Sequence, residues 1–327
     1  MLHLHSKKKS ELNQDYAKRI LQLEGIAVEG MVRASLSYTN DVFKINLKGK
    51  EHFLKFFTDQ WNNKNAGDSE IEIMKILNSN GIPAPRVVFF RKSKEGRNYC
   101  LMEGLPGNPM MDMLNKNTPI SDRVIDESLS ILKIFSEIKG RFGFFSHDPR
   151  IHITYDNYFD FINDVVIDSL IRLNKRGHEI HNLVSLIKSW KRKESHREFS
   201  FCHNDFTPKH ILTDGNSITG IIDYEWSAFG NSVLDYVRWL TALAQHKIPY
   251  KNLSKIYLGM PSGSAEIIPY YAARVFILEA AWPHKAVEQP YYSDIRLSLA
   301  KMILDKGEVS LDDLLWQGKT GIIGEIK

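Results

Sequence analysis

The chain has two cysteines in 327 residues, Cys100 and Cys202. Two thiols cannot build a disulfide framework, which points to a reducing compartment such as the cytoplasm. No apolar run approaches the ~20 residues of a membrane-crossing helix. The first ten residues, with Lys7, Lys8 and Lys9, lack the hydrophobic centre of a secretory leader. Charge of one sign is scarce as well: 43 Lys+Arg against 39 Asp+Glu leave a net +4, too little for electrostatic capture of nucleic acid or a membrane surface. Repeats and low-complexity tracts are missing. What is present, 43% hydrophobic and 25% charged residues, is the composition of a globular protein long enough for about two domains.

The pattern changes along the chain. Glu11 to Leu23 reads as a short amphipathic helix with Tyr16, Ile20 and Leu23 on one stripe, closed by Gly25. Two β-like runs follow, Val42–Leu47 and Phe53–Phe57, joined by the turn signal Lys48-Gly49-Lys50. Asp68-Ser69 reads as the N-cap of a helix carrying Ile71, Met74 and Leu77, stopped by Gly81 and Pro83. A second strand pair, Val87–Phe90 and Tyr99–Met102, surrounds Glu95-Gly96. Gly104, Pro106, Gly107 and Pro109 then crowd six positions and mark the domain junction. Beyond it a 3.6-residue period predicts helices over 124–138, 159–173, 183–190, 233–243, 270–282 and 295–304, with short β runs only near 199–202, 211–212 and 218–222. These signals imply an α+β chain: a helical extension over 1–30, a β-rich lobe over 31–103, and a larger helical lobe over 104–327. A cleft between two lobes is a natural ligand site.

The densest polar cluster in apolar surroundings is His203-Asn204-Asp205-Phe206-Thr207-Pro208-Lys209-His210, held between two short strands. Further on, the apolar run Gly220-Ile221-Ile222 ends in Asp223-Tyr224-Glu225, and Asp235 opens the following helix. Two aspartates presented from neighbouring strand ends suit phosphoryl transfer: one orients the accepting hydroxyl while the other holds a divalent ion across the phosphates. A single Asp after a strand is more often a turn or capping residue. The order and spacing of all three acids is what raises the signal.

These stretches resemble the signature of the aminoglycoside phosphotransferase and choline kinase family, which has the bilobal protein-kinase-like fold. Its catalytic loop reads His-Gly-Asp followed by Pro-x-Asn-Ile-Leu, matched by His203-Asn204-Asp205 and Pro208-Lys209-His210-Ile211-Leu212; its metal strand reads Ile-Asp-Trp-Glu, matched by Ile222-Asp223-Tyr224-Glu225. Its Gly-Asp-Pro-x-x-Asp is matched by Gly230-Asn231-Ser232-Val233-Leu234-Asp235. The resemblance implies an ATP- and Mg²⁺-dependent kinase acting on a hydroxyl of a small molecule: a sugar, an aminoglycoside, an amino alcohol or a cell-envelope saccharide. It makes Asp205 the base or hydroxyl-orienting residue and Asp223 the Mg²⁺ ligand, with His203 and Asp235 supporting the loop. Lys55 resembles the strand lysine that contacts the α- and β-phosphates, and Glu70 its ion-pair partner, for which Glu72 competes. Met102 and Glu103 open the hinge that receives adenine, and Asn40 fits the Asn of the phosphate-covering loop.

Two departures bear on activity. The phosphate-covering loop, Ser35 to Asp41, has no glycine, and His210 stands where the family has its metal-binding Asn. Imidazole is a poor donor for Mg²⁺. His210 thus has four open roles: metal ligand, phosphate hydrogen-bond donor, a gap in one metal site, or the mark of a dead site. Lipopolysaccharide-core sugar kinases of the same superfamily are similar in carrying His there, which points toward envelope sugars. The rival to an enzyme is a pseudokinase that binds nucleotide or a partner without turnover. Other signals carry less. Gly318-Lys319-Thr320 lacks the upstream glycine of a P-loop. Cys202, His203 and His210 fit no zinc spacing. Trp282, Tyr291 and Tyr292 are more often core than pocket, and Lys191-Arg192-Lys193 is a solvated helix face. Glu225, Glu279 and Asp294 could attract a cationic acceptor. Oligomeric state is not legible.

Overall fold

The computed structural model describes residues 12–34, 40–57, 67–92, 97–140, 158–180, 182–190, 199–281 and 290–319. A five-stranded antiparallel sheet comes first: β1 (Gly30–Arg33), β2 (Asp41–Leu47), β3 (Lys50–Phe56), β4 (Val87–Arg91) and β5 (Tyr99–Glu103), in the order β1-β2-β3-β5-β4. The β2–β3 turn is set by its two central residues. Lys48 and Gly49 both have positive φ, 50° and 73°, as a two-residue hairpin with the sheet's twist requires. Along β3 the alternation of side chains divides the labour. Leu54 and Phe56 pack with Phe43, Ile45 and Leu101 beneath α1 (Gln14–Leu23). Lys55 points to the opposite face, directly across from Cys100 of β5, where α2 (Asp68–Ser79) covers it.

The expected cap of α2 is corrected. Asp68 and Ser69 lie inside the helix, and the cap position is Gly67 with φ 98° and no side-chain hydrogen bond. A Cβ on Gly67 would come within 2.6 Å of the Phe57 ring, so close packing rather than side-chain capping selects this residue.

The C-terminal region is mainly helical: α3 (Met110–Asn115), α4 (Asp122–Glu137), α5 (Tyr158–Lys175), α6 (Leu183–Trp190), α7 (Val233–Leu243), α8 (Tyr250–Leu258), α9 (Ile268–Ala280), α10 (Pro290–Lys306) and α11 (Leu311–Lys319). The predicted helices over 183–190 and 233–243 coincide with α6 and α7, and four others differ by a few residues at their ends. Three helices (α3, α8 and α11), strand β1 and the short strands over 108–109 and 228–230 have no counterpart in the sequence reading. Small strands insert between α6 and α7. β7 (Ser200–Cys202) pairs with β10 (Ala228–Gly230), and β8 (Ile211–Thr213) lies between β9 (Ile218–Ile221) and the two-residue β6 (Asn108–Pro109). This pairing hands the loops 203–210 and 222–227 to one end of the two small sheets.

The junction at 104–109 needs its glycine at 107. Its φ is 90°, and a Cβ would meet the Thr219 hydroxyl at 2.3 Å and the Thr213 carbonyl oxygen at 2.9 Å. Gly107→Ala is therefore expected to cost about 2 kcal/mol or more, from backbone strain plus overlap with main chain. Urea unfolding of the two proteins measures it. No helix among the described residues is long and apolar enough to cross a membrane.

Candidate active site

Two loops build the site, and both bend at non-glycine residues in the left-handed region: Asn204 at φ 64° and Asp223 at φ 69°. Asn and Asp are the side chains that tolerate this conformation best. Asn204 thus stands in for the glycine of the resembled motif, and its amide donates to the Trp226 carbonyl (2.8 Å), tying the two loops together. Asp235, fully buried on the first turn of α7, accepts the backbone N–H groups of His203 (2.7 Å) and Asn204 (2.8 Å). Burial raises its pKa to about 7 against the pull of those two amides. Burial, and then the His210 ring beside it, lowers the pKa of His203 to about 4. A neutral ring donates from Nε2 to the Ile222 carbonyl (3.2 Å). Both residues shape the loop from behind.

In front of them five side chains form a line. Asp205 Oδ2 lies 3.4 Å from His210 Nδ1; His210 Nε2 lies 3.3 Å from Asp223 Oδ2; Asp223 Oδ1 lies 3.5 Å from Lys55 Nζ. Lys55 in turn donates to both oxygens of Glu70 at 2.8 Å. The line crosses from the catalytic-type loop to the sheet, a sequence separation of 168 residues at Lys55–Asp223. Lys55 and Glu70 are buried, whereas Asp205 and Asp223 keep 25% and 37% of their side-chain surface exposed. The two aspartates thus face open space while their partners anchor them.

The electrostatics follow from this geometry. Burial disfavours a charged Lys55, but Glu70, Asp223 and Glu225 overcome that cost and raise its pKa. Burial raises the Glu70 pKa, opposed by Lys55 and by the backbone N–H of Tyr224. Burial also disfavours ionised Asp205, yet Arg238 and then His210 hold its pKa at about 2. Asp223 is likewise held below its usual range against burial, by Lys55 and then His210. Both aspartates are carboxylates at neutral pH.

The competition between Glu70 and Glu72 is resolved by helix face: Glu70 is 2% exposed beside Lys55, whereas Glu72 lies outward beside Lys75. Asn40, at the base of the loop before β2, donates to the Glu225 carboxylate. Residues 35–39 of that loop lie outside the described residues. At the junction, the Glu103 amide is spent on the Arg86 carbonyl and the Gly104 amide on the Glu51 carbonyl. Met102 belongs to the same apolar cluster as Cys100 and Ile221, as a floor rather than a polar contact.

One residue of this cluster has no counterpart in the sequence reading. Arg238, one helical turn after Asp235, donates from Nη2 (2.9 Å) and Nε (3.3 Å) to Asp205 Oδ1. It is braced by Glu279 at 3.4 Å, which also pairs with Arg296 at 3.2 Å. Its only linear signal is the i, i+3 spacing from Asp235 on α7.

Among the described residues, no three His, Cys, Asp or Glu side chains are arranged to hold a metal ion unaided. Asp223 Oδ2 is the kind of carboxylate oxygen that a divalent ion takes from a protein alongside phosphates and water; His210 Nε2 beside it is a nitrogen donor, which suits a first-row transition ion better than Mg²⁺. Tyr292 is buried, its hydroxyl donating to Glu279 at 3.4 Å. Trp282, 191–193 and Thr320 lie outside the described residues, as does the Tyr291 side chain. Gly318 and Lys319 end helix α11, with no strand before them.

The profile of the phosphotransferase enzyme family matches residues 31–249. The chain belongs to that family. Solved structures agree on the fold of this phosphotransferase. Apo aminoglycoside phosphotransferase APH(4)-Ia, a thermostable mutant, superposes with a TM-score of 0.62 at 15% identity, over 90% of this chain and 99% of that one. The GDP complex of an aminoglycoside 2′-phosphotransferase-IIIa mutant gives 0.63 at 15% identity, over 89% and 97%. The GDP and kanamycin complex of APH(2″)-IIIa gives 0.62 at 14%, over 90% and 99%. Among curated proteins, none matches significantly. The phosphotransferase therefore has a kinase-like α+β fold, and its family transfers phosphoryl groups to hydroxyls.

Proposed function

We propose that this phosphotransferase moves the γ-phosphoryl group of ATP to a hydroxyl of a small-molecule sugar or related saccharide, in the cleft between residues 31–103 and 104–327. The observation that carries the reading is the line Asp205–His210–Asp223–Lys55–Glu70, which joins both sides of that cleft within hydrogen-bond or ion-pair distance. Lys55, fixed by Glu70, presents a permanent ammonium to the α- and β-phosphates. Asp223, with His210 beside it, would hold the divalent ion, which when bound neutralises charge on the phosphates. Met102 and Glu103, at the junction, receive the adenine. Asn40, beside Glu225, faces the phosphates.

Asp205 orients the acceptor hydroxyl. With its pKa at about 2 it is a weak proton acceptor until late in the reaction, which suits a loose transition state in which positioning outweighs proton removal. Arg238 fixes Oδ1, while Oδ2 lies beside the His210 ring, and a quarter of the side chain stays exposed for the acceptor.

The charge around Asp205 supports a neutral or anionic acceptor over a polycation. Glu279 is spent on Arg238 and Arg296, Asp294 pairs with His178, and Glu225 accepts from Asn40. The acids that could have drawn a cationic acceptor are thus already engaged. A neutral or anionic sugar demands no surplus of acid there. The two buried free thiols and the charge balance fit a cytoplasmic enzyme.

ADP release from Mg²⁺·ATP across a panel of hydroxyl metabolites tests the reading. Stimulation by a saccharide supports it; stimulation only by polyamines would redirect the acceptor, and Mg²⁺-dependent binding with no turnover on any acceptor would favour the pseudokinase.

Lys55→Met leaves the Glu70 carboxylate buried without its cation. We expect a loss of about 3 kcal/mol in stability together with a raised KM for ATP, checked by denaturant unfolding and steady-state kinetics. Unchanged stability would show that Glu70 finds another partner.

A further inference from the structure

His210 stands where an oxygen ligand is usual, and its surroundings define which ring atom faces the cleft. Nδ1 lies 2.9 Å from the Asp205 carbonyl oxygen. A carbonyl only accepts, so Nδ1 carries a proton, and Nε2 is the ring nitrogen left to face Asp223. That nitrogen lies 3.3 Å from Asp223 Oδ2, itself only an acceptor. The two atoms face each other at that distance through a shared cation, either a proton on Nε2 or a metal ion. Adjacent donors around a six-coordinate divalent ion, each at roughly 2.1–2.2 Å, stand about 3 Å apart, close to the separation seen here.

Two more features mark the ring as a preset ligand. A histidine that ligates metal typically donates its other N–H to a carbonyl or carboxylate, which fixes tautomer and orientation; the Asp205 carbonyl does this. The ring is also 4% exposed and lies nearly parallel to His203, 15° between planes and 6.0 Å between centroids, so it has little room to turn away. Imidazole nitrogen is a poor donor for Mg²⁺ and a better one for first-row transition ions, among which Mn²⁺ is the one that also favours carboxylate and phosphate oxygen.

We infer that His210 Nε2 is a direct ligand of the nucleotide-bound ion, and that this site therefore selects Mn²⁺ over Mg²⁺ more strongly than an all-oxygen site would. The inference rests on the assignment of Asp223 to the metal and adds the identity of the ion. Asp223 and a nucleotide phosphate supply oxygen, His210 supplies nitrogen, and the mixed set fits Mn²⁺.

The test uses the full chain with Mn²⁺ and AMP-PNP, examined by electron spin echo envelope modulation. Nitrogen modulation from a coordinated imidazole is expected, and it should change to the ¹⁵N pattern when histidine alone is ¹⁵N-labelled, with no variant needed. His210→Asn should abolish it. In equilibrium binding, the Mn²⁺-over-Mg²⁺ preference for AMP-PNP should fall by about tenfold in His210→Asn. Mn²⁺·AMP-PNP bound without imidazole modulation, and with an unaltered preference in the variant, would overturn the inference while leaving the nucleotide site standing; His210 would then be an imidazolium pairing two carboxylates. Absence of any metal-dependent AMP-PNP binding would overturn both the inference and the functional reading beneath it.

Discussion

Asp205→Asn is expected to reduce turnover by about 10²–10⁴-fold while changing nucleotide affinity by no more than about threefold. The substitution keeps shape and one accepting oxygen. The asparagine side chain can still accept from Arg238, whose guanidinium reaches Oδ1 from both Nε and Nη2, and Arg238 retains Glu279. What disappears is the negative charge that orients and finally accepts from the acceptor hydroxyl. In the proposed reading the nucleotide is held elsewhere, by Lys55, Glu70 and Asp223, so a pure kcat effect is the signature. Steady-state kinetics with the best acceptor from the saccharide panel, together with isothermal titration of AMP-PNP, separate the two quantities. An equal loss of binding and turnover would assign Asp205 to the nucleotide instead.

Asp223 should behave in the opposite way. Removing its carboxylate is expected to weaken metal-dependent nucleotide binding by roughly 10²-fold or more, the size associated with losing a hard anionic ligand and its charge at the phosphates. The choice of variant matters because Asp223 sits at φ 69°. Alanine there adds strain of about 1 kcal/mol, whereas asparagine tolerates the conformation, so Asp223→Asn isolates the charge and Asp223→Ala combines charge with strain. Both should lose the Mg²⁺-dependent increment in AMP-PNP affinity and keep whatever affinity persists with EDTA. Retained metal dependence in Asp223→Asn would place the ion elsewhere.

Sequence makes some of this legible for identifiable reasons. The pairs Lys48-Gly49 and Asn204-Asp205 are local signals: a hairpin turn needs two positive-φ residues, and a loop rich in polar groups between apolar strands has few uses other than chemistry. The helix over 233–243 is readable because it is buried almost all round, with Val233, Leu234, Val237, Trp239, Leu240 and Leu243 inside. Helix α8 is not, since Leu253 and Ile256 are its only buried apolar side chains and Leu258 is 78% exposed, which breaks the stripe. Gly67 gives no sign of being the α2 cap because its role depends on Phe57, ten residues away. Lys55 and Glu70 can be nominated from spacing, but only the folded helix chooses Glu70 over Glu72. Arg238 is invisible for a similar reason. It acts on Asp205, 33 residues earlier, and nothing in linear spacing says which way a helix side chain turns.

The account stands on the carboxylates of Asp205 and Asp223 sharing one nucleotide. Crystals grown with AMP-PNP and Mn²⁺, with data collected at a wavelength where manganese scatters anomalously, address it most directly. An anomalous peak bonded to Asp223 and to the nucleotide phosphates, with the terminal phosphoryl group turned toward Asp205, is the predicted result. A nucleotide seated away from Lys55, or an ion that leaves Asp223 unbound, would contradict it.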